Sequence, residues 1–177
     1  LYLARDRMGE KPLYYGWQGD SFLFGSELKA LEAHPDFRAE IDRGALSELL
    51  RLGYIPGPGT IYSQIHKLPP GTYIALGTHR PEARPVSYWS TADAALRGQM
   101  APFTGNESEA IENLDYLLRD AVASQMISDV PLGAFLSGGI DSSLVTALMQ
   151  TQSSTPIHTF SIGFEEEEFN EAPFAKA

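Results

Sequence analysis

Phe135-Leu136-Ser137-Gly138-Gly139-Ile140-Asp141-Ser142-Ser143 is the stretch that decides how this chain is read. The apolar run Pro131 to Leu136 before it reads as a strand, and Leu144 to Gln150 after it reads as a helix. Ser137 to Ser143 is then the loop between them, the place where an open α/β sheet presents its binding crevice. Two adjacent glycines let the backbone turn tightly and come close to an anion. Ser137, Ser142 and Ser143 offer hydroxyl donors. The free N–H groups at the start of the following helix face the same spot, and the helix dipole favours negative charge there. The pattern points to a phosphate or pyrophosphate. Asp141 sharpens it, because a carboxylate beside an anion nest repels the anion unless a cation lies between them. Mg²⁺ takes one or two carboxylates plus phosphate oxygens, so Asp141 is a natural ligand for Mg²⁺–ATP. The loop lacks the G-x-x-x-x-G-K-[ST] pattern and the Lys that serves a γ-phosphate. It is better suited to holding a leaving pyrophosphate than to transferring the terminal phosphoryl group. The simpler alternative is a Gly-Gly turn with a Ser/Asp helix cap. The full run in a strand–loop–helix setting favours the nucleotide loop.

The neighbouring segments fit that setting. Asn106 with Glu109 resembles a capping box, and Ile111, Leu114, Leu118 and Val122 mark one face of a helix ending near Ser128. Ile157 to Phe164 reads as the next parallel strand, with its C-terminal end beside the loop. Backbone near Ile162 could bond an adenine edge, with Leu136 bordering the same pocket; plain core positions are the alternative for both. Helix, strand, loop, helix, strand is the opening of a parallel α/β sheet.

The first part reads differently. Leu1 to Arg5, Leu13 to Trp17 and Ser21 to Phe24 alternate with turn signals and predict three strands. Glu27 to Ala33 predicts a short helix stopped by Pro35. Residues 41–53 predict another, capped by Asp42, with Leu46, Leu49 and Leu50 on its apolar face and Gly53 ending it. The Pro/Gly-rich run Tyr54 to Thr60 is a structured turn, and Ile61, Ile65 and Leu68 follow at near-helical spacing. Thr72 to Leu76 predicts a strand, and the residues after it have weak periodicity. The organisation expected is therefore 1–76, a connector over 77–105, and 106–177.

Composition excludes several classes. The 177 residues hold 13 Lys+Arg against 23 Asp+Glu, a net charge of −10, which suits nucleic-acid binding poorly. With no Cys there is no disulfide scaffold, thiol nucleophile or Cys-ligated metal site in this stretch. Hydrophobic residues at 43% are enough for a core. No apolar run reaches the ~18–20 residues of a membrane span, and no basic-then-apolar leader opens the chain. A globular, cytoplasmic protein is expected. The strand-like opening at Leu1 and the helix-like close at Ala172 to Ala177 suggest a fragment of a longer one.

The run Ser137 to Ser143 resembles the S-G-G-x-D-S loop of the N-type ATP pyrophosphatases. Ser128-Asp129-Val130-Pro131-Leu132-Gly133 and Thr159-Phe160-Ser161-Ile162-Gly163-Phe164 narrow the resemblance to glutamine-hydrolysing asparagine synthetases. Arg5 to Tyr15 and Gly25 to Leu31 look like the late part of that family's glutaminase domain, and Leu68-Pro69-Pro70-Gly71 and Tyr88-Trp89 also match. The resemblance implies an α+β part, the end of an N-terminal nucleophile glutaminase domain. An α/β part follows, the start of an adenine nucleotide alpha hydrolase-like ATP pyrophosphatase domain. It implies that aspartate is amidated with glutamine-derived ammonia through β-aspartyl-AMP, releasing AMP and pyrophosphate. A related amide- or lactam-forming ligase is the alternative.

By motif match, Leu136, Ser137, Gly138, Gly139, Ile140, Asp141, Ser142, Ser143 and Ile162 bind ATP, and Asp141 binds Mg²⁺. Aspartate, glutamine and ATP are the partners expected, with a homodimer and without nucleic acid or membrane. The family's glutaminase nucleophile is an N-terminal Cys, which this chain lacks, so no catalytic residue is assigned and neither half-reaction is expected of the chain by itself.

Other polar residues have simpler readings. Arg5, Asp6 and Lys11 are expected to be structural and Ser26-Glu27 a helix cap; Glu165–Glu168 with Glu171 could repel or gate phosphate, but a solvated face is the simpler reading. His34, His66, His79 and His158 show no ligand spacing. The aromatics of 14–24 are expected in the core.

Overall fold

The computed structural model describes residues 1–77, 83–166 and 170–176. The chain divides into two compact units, Leu1–Pro102 and Phe103–Ala177. His79, Glu167, Glu168 and Ala177, named above, lie outside the described residues.

The first unit is built on antiparallel pairing. β1 (Tyr2–Ala4) pairs with β5 (Thr72–Ala75), which also pairs with β6 (Val86–Ser87). β2 (Tyr14–Gln18) lies between β3 (Ser21–Gly25) and β4 (Ile65–Lys67). Period-2 alternation sends Leu3, Tyr15 and Ile74 inward, where they join Leu68 in one buried cluster. Leu23, Leu31 and Ile65 form a second, with Leu31 supplied by α1 (Leu28–Glu32). Each such side chain contributes roughly 1.5–3 kcal/mol by leaving water.

The charged Arg5–Lys11 turn is held by its own backbone. The Arg5 guanidinium donates to the carbonyls of Lys11, Leu68 and Gly9 at 2.9, 2.7 and 2.8 Å. The Asp6 carboxylate accepts from the amides of Glu10, Met8 and Lys11 at 2.9, 3.1 and 3.2 Å. These bonds, that from Glu10 foremost, hold its carboxyl below the usual carboxylate range.

Several expectations need correction. α2 (Arg43–Leu52) has the Asp42 cap and a left-handed Gly53, but its apolar face is largely open: Leu46 and Leu50 are exposed and only Ala45 is buried. Ile65 belongs to β4, not to a helical repeat; its spacing from Ile61 and Leu68 is coincidental in a segment that turns at a cis Gly57-Pro58 bond. α1 takes Glu27, not Ser26, as its N-cap residue, without a side-chain bond. Of the aromatics, Tyr15 is buried while Phe24 is half exposed. The stretch 77–105 contains β6 and the helix α3 (Thr91–Met100), capped by Ser90. Its Ala- and Gly-rich composition hides a helix that buries no residue.

The second unit is short and parallel. α4 (Glu107–Gln125) starts at a complete Asn106/Glu109 capping box. β7 (Gly133–Phe135) pairs in parallel with β8 (His158–Phe160), and α5 (Ile140–Thr151) connects them, followed later by α6 (Ala172–Lys176). Val122, Leu148 and Met149 form its core, with Leu118, Ala134 and Ile157 against them. Ile111 and Leu114, expected on the packed face of α4, are exposed. α5 begins at Ile140, four residues before the expected start, so the loop proper is Leu136–Gly139. β8 ends at Phe160, so Ile162 lies past the strand.

Candidate functional site

At the C-terminal end of β7 the chain leaves the sheet through a fixed junction. The Leu136 amide donates to the Phe160 carbonyl at 2.8 Å, and the Leu136 carbonyl accepts the Ser161 hydroxyl at 2.6 Å. Both backbone groups of Leu136 are thereby tied to the adjacent strand and its extension. Sequence reasoning passed over Ser161, whose hydroxyl makes the second tie.

Gly138 then turns in the left-handed region, φ +78°, where an L side chain is strained. A Cβ there would also lie 2.5 Å from the carbonyl carbon of Phe174, so α6 backs directly onto the loop. The hydroxyls of Ser137 and Ser142 are 2.9 Å apart. Ser142 Oγ donates to the Gly139 carbonyl at 3.2 Å, and Ser137 Oγ accepts the Gly139 amide at 3.3 Å. These bonds fold the loop over the first turn of α5.

The start of α5 differs from those of α2, α3 and α4. Asp42, Ser90 and Asn106 each cap their helix through a side chain, whereas the N-cap of α5 is Gly139, which has none. The amides of Ile140, Asp141 and Ser142 have no preceding turn to bond to. They present partial positive charge at the mouth of the loop. Asp141 stands exposed in the same turn, as do Ile140 and Ser143.

Beside the loop lies a cleft of about 200 Å³, lined by Leu136, Ser137, Phe160, Ser161, Ile162 and Glu171 among others. The structure therefore brings Leu136 and Ile162 to one cavity that borders the Ser137 loop. Glu171, read above as part of a solvated face, is exposed but forms part of this wall. Nothing in its sequence position revealed that, since the contact depends on where α6 returns.

The residue types fit a magnesium–nucleotide complex: first-turn amides and serine hydroxyls for anionic oxygens, and one exposed carboxylate for a hard cation. Among the described residues no group of three or more His, Cys, Asp or Glu could hold a metal ion. Asp141 would then share a cation with phosphate oxygens and not enclose it alone. His34 bonds its own turn, its Nδ1 accepting the Asp36 amide at 3.2 Å, and His66 packs against the Tyr15 ring. Among the described residues, no helix is long and apolar enough to cross a membrane.

Residues 1–89 match the model of the glutamine amidotransferase domain, and residues 113–177 match that of asparagine synthase. The chain is 40% identical over 171 residues to glutamine-hydrolyzing asparagine synthetase 3 of Bacillus subtilis (strain 168), covering 94% of this chain and 26% of that protein. It is 38% identical over 179 residues to a putative glutamine-hydrolyzing asparagine synthetase 2 of Methanocaldococcus jannaschii, covering 99% of this chain and 33% of that one. A protein of Gibberella zeae named amidase chry2 is 32% identical over 150 residues, 84% of this chain and 21% of its own length. The chain thus spans about a quarter to a third of the length of the first two relatives. Its two parts match these two domain models in succession, and the chain belongs to the glutamine-hydrolysing asparagine synthetase family.

Proposed function

We propose that the protein to which this chain belongs converts aspartate to asparagine, using ATP and ammonia released from glutamine. The observation that carries the ATP half is the uncapped start of α5, folded against a Ser-Gly-Gly loop at the end of a parallel strand. In this reading the aspartate side-chain carboxylate attacks the α-phosphorus of ATP and pyrophosphate leaves. Ammonia then attacks the acyl carbon of β-aspartyl-AMP, AMP leaves with the bonding electrons, and the nitrogen sheds a proton.

The chain's own residues bind and orient. Ser137 to Ser143 hold the pyrophosphate, chiefly through the amides of Ile140, Asp141 and Ser142. Ser137 and Ser142 keep the loop in shape through their shared hydrogen bond. Backbone near Ile162 meets the adenine edge, and Leu136 borders the same pocket. Mg²⁺ held at Asp141 would neutralise charge on the leaving pyrophosphate. The first unit belongs, in this reading, to an N-terminal nucleophile glutaminase, and the second to an adenine nucleotide alpha hydrolase-like domain. A cytoplasmic location and a homodimer go with the same reading.

The second reading is a related amide- or lactam-forming ligase acting on another carboxylate, since the residues that would select the acceptor are not among those assigned to the loop and cleft. Pyrophosphate release by the complete protein with Mg²⁺–ATP, ammonia and a panel of carboxylic acids separates the two. Release with aspartate alone is expected. Release only with a different acid moves the assignment to the second reading, and no release with any acid removes both.

A further inference from the structure

Glu171 is the one charged side chain among the described residues lining the cleft beside the loop. The other lining residues are apolar or hydroxyl-bearing, among them Leu136, Phe160, Ile162, Ser137 and Ser161. A carboxylate in such a cleft would repel phosphate, so it does not serve the anionic end. It is an acceptor only, and it pairs with a ligand group that donates.

The segment carrying Glu171 has neighbours beside both Ile162 and the Ser137 loop. On one side of it, a Cβ at Gly163, next to Ile162, would be 3.8 Å from both Asn170 Oδ1 and the Cβ of Ala172. On the other, Phe174 meets Gly138 of the loop. Asn170 Oδ1 accepts the Ala172 amide at 3.2 Å, and the Glu171 carbonyl accepts the amides of Phe174 and Ala175, both at 3.1 Å. Those bonds fix the backbone on either side of Glu171 and leave its carboxylate available. In the nucleotide reading above, on which this inference rests, the base lies at Ile162 and the phosphates at Gly138. The part of a nucleotide between base and phosphates is the sugar, and its donors are the 2′- and 3′-hydroxyls.

We propose that Glu171 accepts hydrogen bonds from the ribose hydroxyls and so makes the site selective for ribonucleotides over deoxyribonucleotides. The adenine 6-amino group is the other donor of the ligand. Backbone N–H and C=O groups near Ile162 supply a matching donor and acceptor for that edge without a side chain.

The test measures binding of ATP, 2′-deoxy-ATP, 3′-deoxy-ATP and ITP to the complete protein and to its Glu171→Ala variant by titration calorimetry. A thermal melt of each preparation, with the transition of the second unit kept in the variant, confirms that the variant is folded. Wild type is expected to bind ATP at least about tenfold more tightly than one of the deoxy analogues, the scale of one hydrogen bond to a charged group. Glu171→Ala should lose that factor for ATP and leave the disfavoured deoxy analogue within about twofold. Equal loss for all four nucleotides would make the role structural and overturn the proposal. So would wild type that does not distinguish ribose from deoxyribose, or a variant whose only change is its preference for ATP over ITP. The titration needs no turnover. Ribose selectivity lost in the variant, from a protein that releases no pyrophosphate, would keep the inference and remove the reaction proposed above. Absence of binding by any nucleotide would overturn both.

Discussion

Gly138 carries two demands at once, a left-handed φ of +78° and a space 2.5 Å from the Phe174 carbonyl carbon. Alanine there costs about 1–2 kcal/mol from the backbone alone, before any shift of α6. Gly138→Ala is expected to weaken nucleotide binding by about tenfold or more and to leave glutamine hydrolysis intact. Unchanged ATP affinity in a titration would show that the loop tolerates a side chain. Asp6 makes a different prediction. Its carboxyl is held low by the amides it accepts, so its contribution to stability is fully present above the unfolded value near 3.8 and is lost as pH falls through the folded value. Asp6→Ala should therefore lower the melting temperature at pH 7, and the gap from wild type should begin to narrow below about pH 4 and narrow further as pH falls through the lowered folded value. A gap of constant size across that range would contradict the assignment.

At the scale of elements, the caps account for much of what is legible. Asp42 Oδ1 accepts the amides of Gly44 and Ala45 at 2.8 and 3.1 Å, and Asp42→Ala is expected to cost about 0.5–2 kcal/mol, read as a lower melting temperature. Asp42, Gly53, Asn106 and Glu109 mark helix ends by local chemistry, and local chemistry is what a sequence displays. The pairing of β7 with β8 was equally readable, because apolar strands flanking a helix leave few other arrangements. α3 was not readable, since a helix without a buried face has no apolar period to detect. The start of α5 was placed too late for a related reason. Ser137 to Ser143 has loop composition throughout, yet its last four residues are the helix's first turn. The roles of Ser161 and Glu171 at the cleft were not legible, because they depend on contacts with Leu136 and Ser137, distant in the chain.

At the scale of the whole molecule, the proposed function gives each unit to a different activity, so the two should be separable in the complete protein. Asp141→Asn in the complete protein should lower ATP-dependent turnover at least tenfold while glutamine hydrolysis continues. Equal ATP-dependent turnover in mutant and wild type would remove Asp141 from the metal site. The absent side chain at Gly139 has a consequence of its own. A helix without a built-in cap opens more readily at that end. An anion bound there completes the helix, so occupancy and local order become one equilibrium. Deuterium uptake at Ile140, Asp141 and Ser142 should then slow with added nucleotide, while the first turn of α4, already closed by Asn106 and Glu109, exchanges at the same rate with or without it.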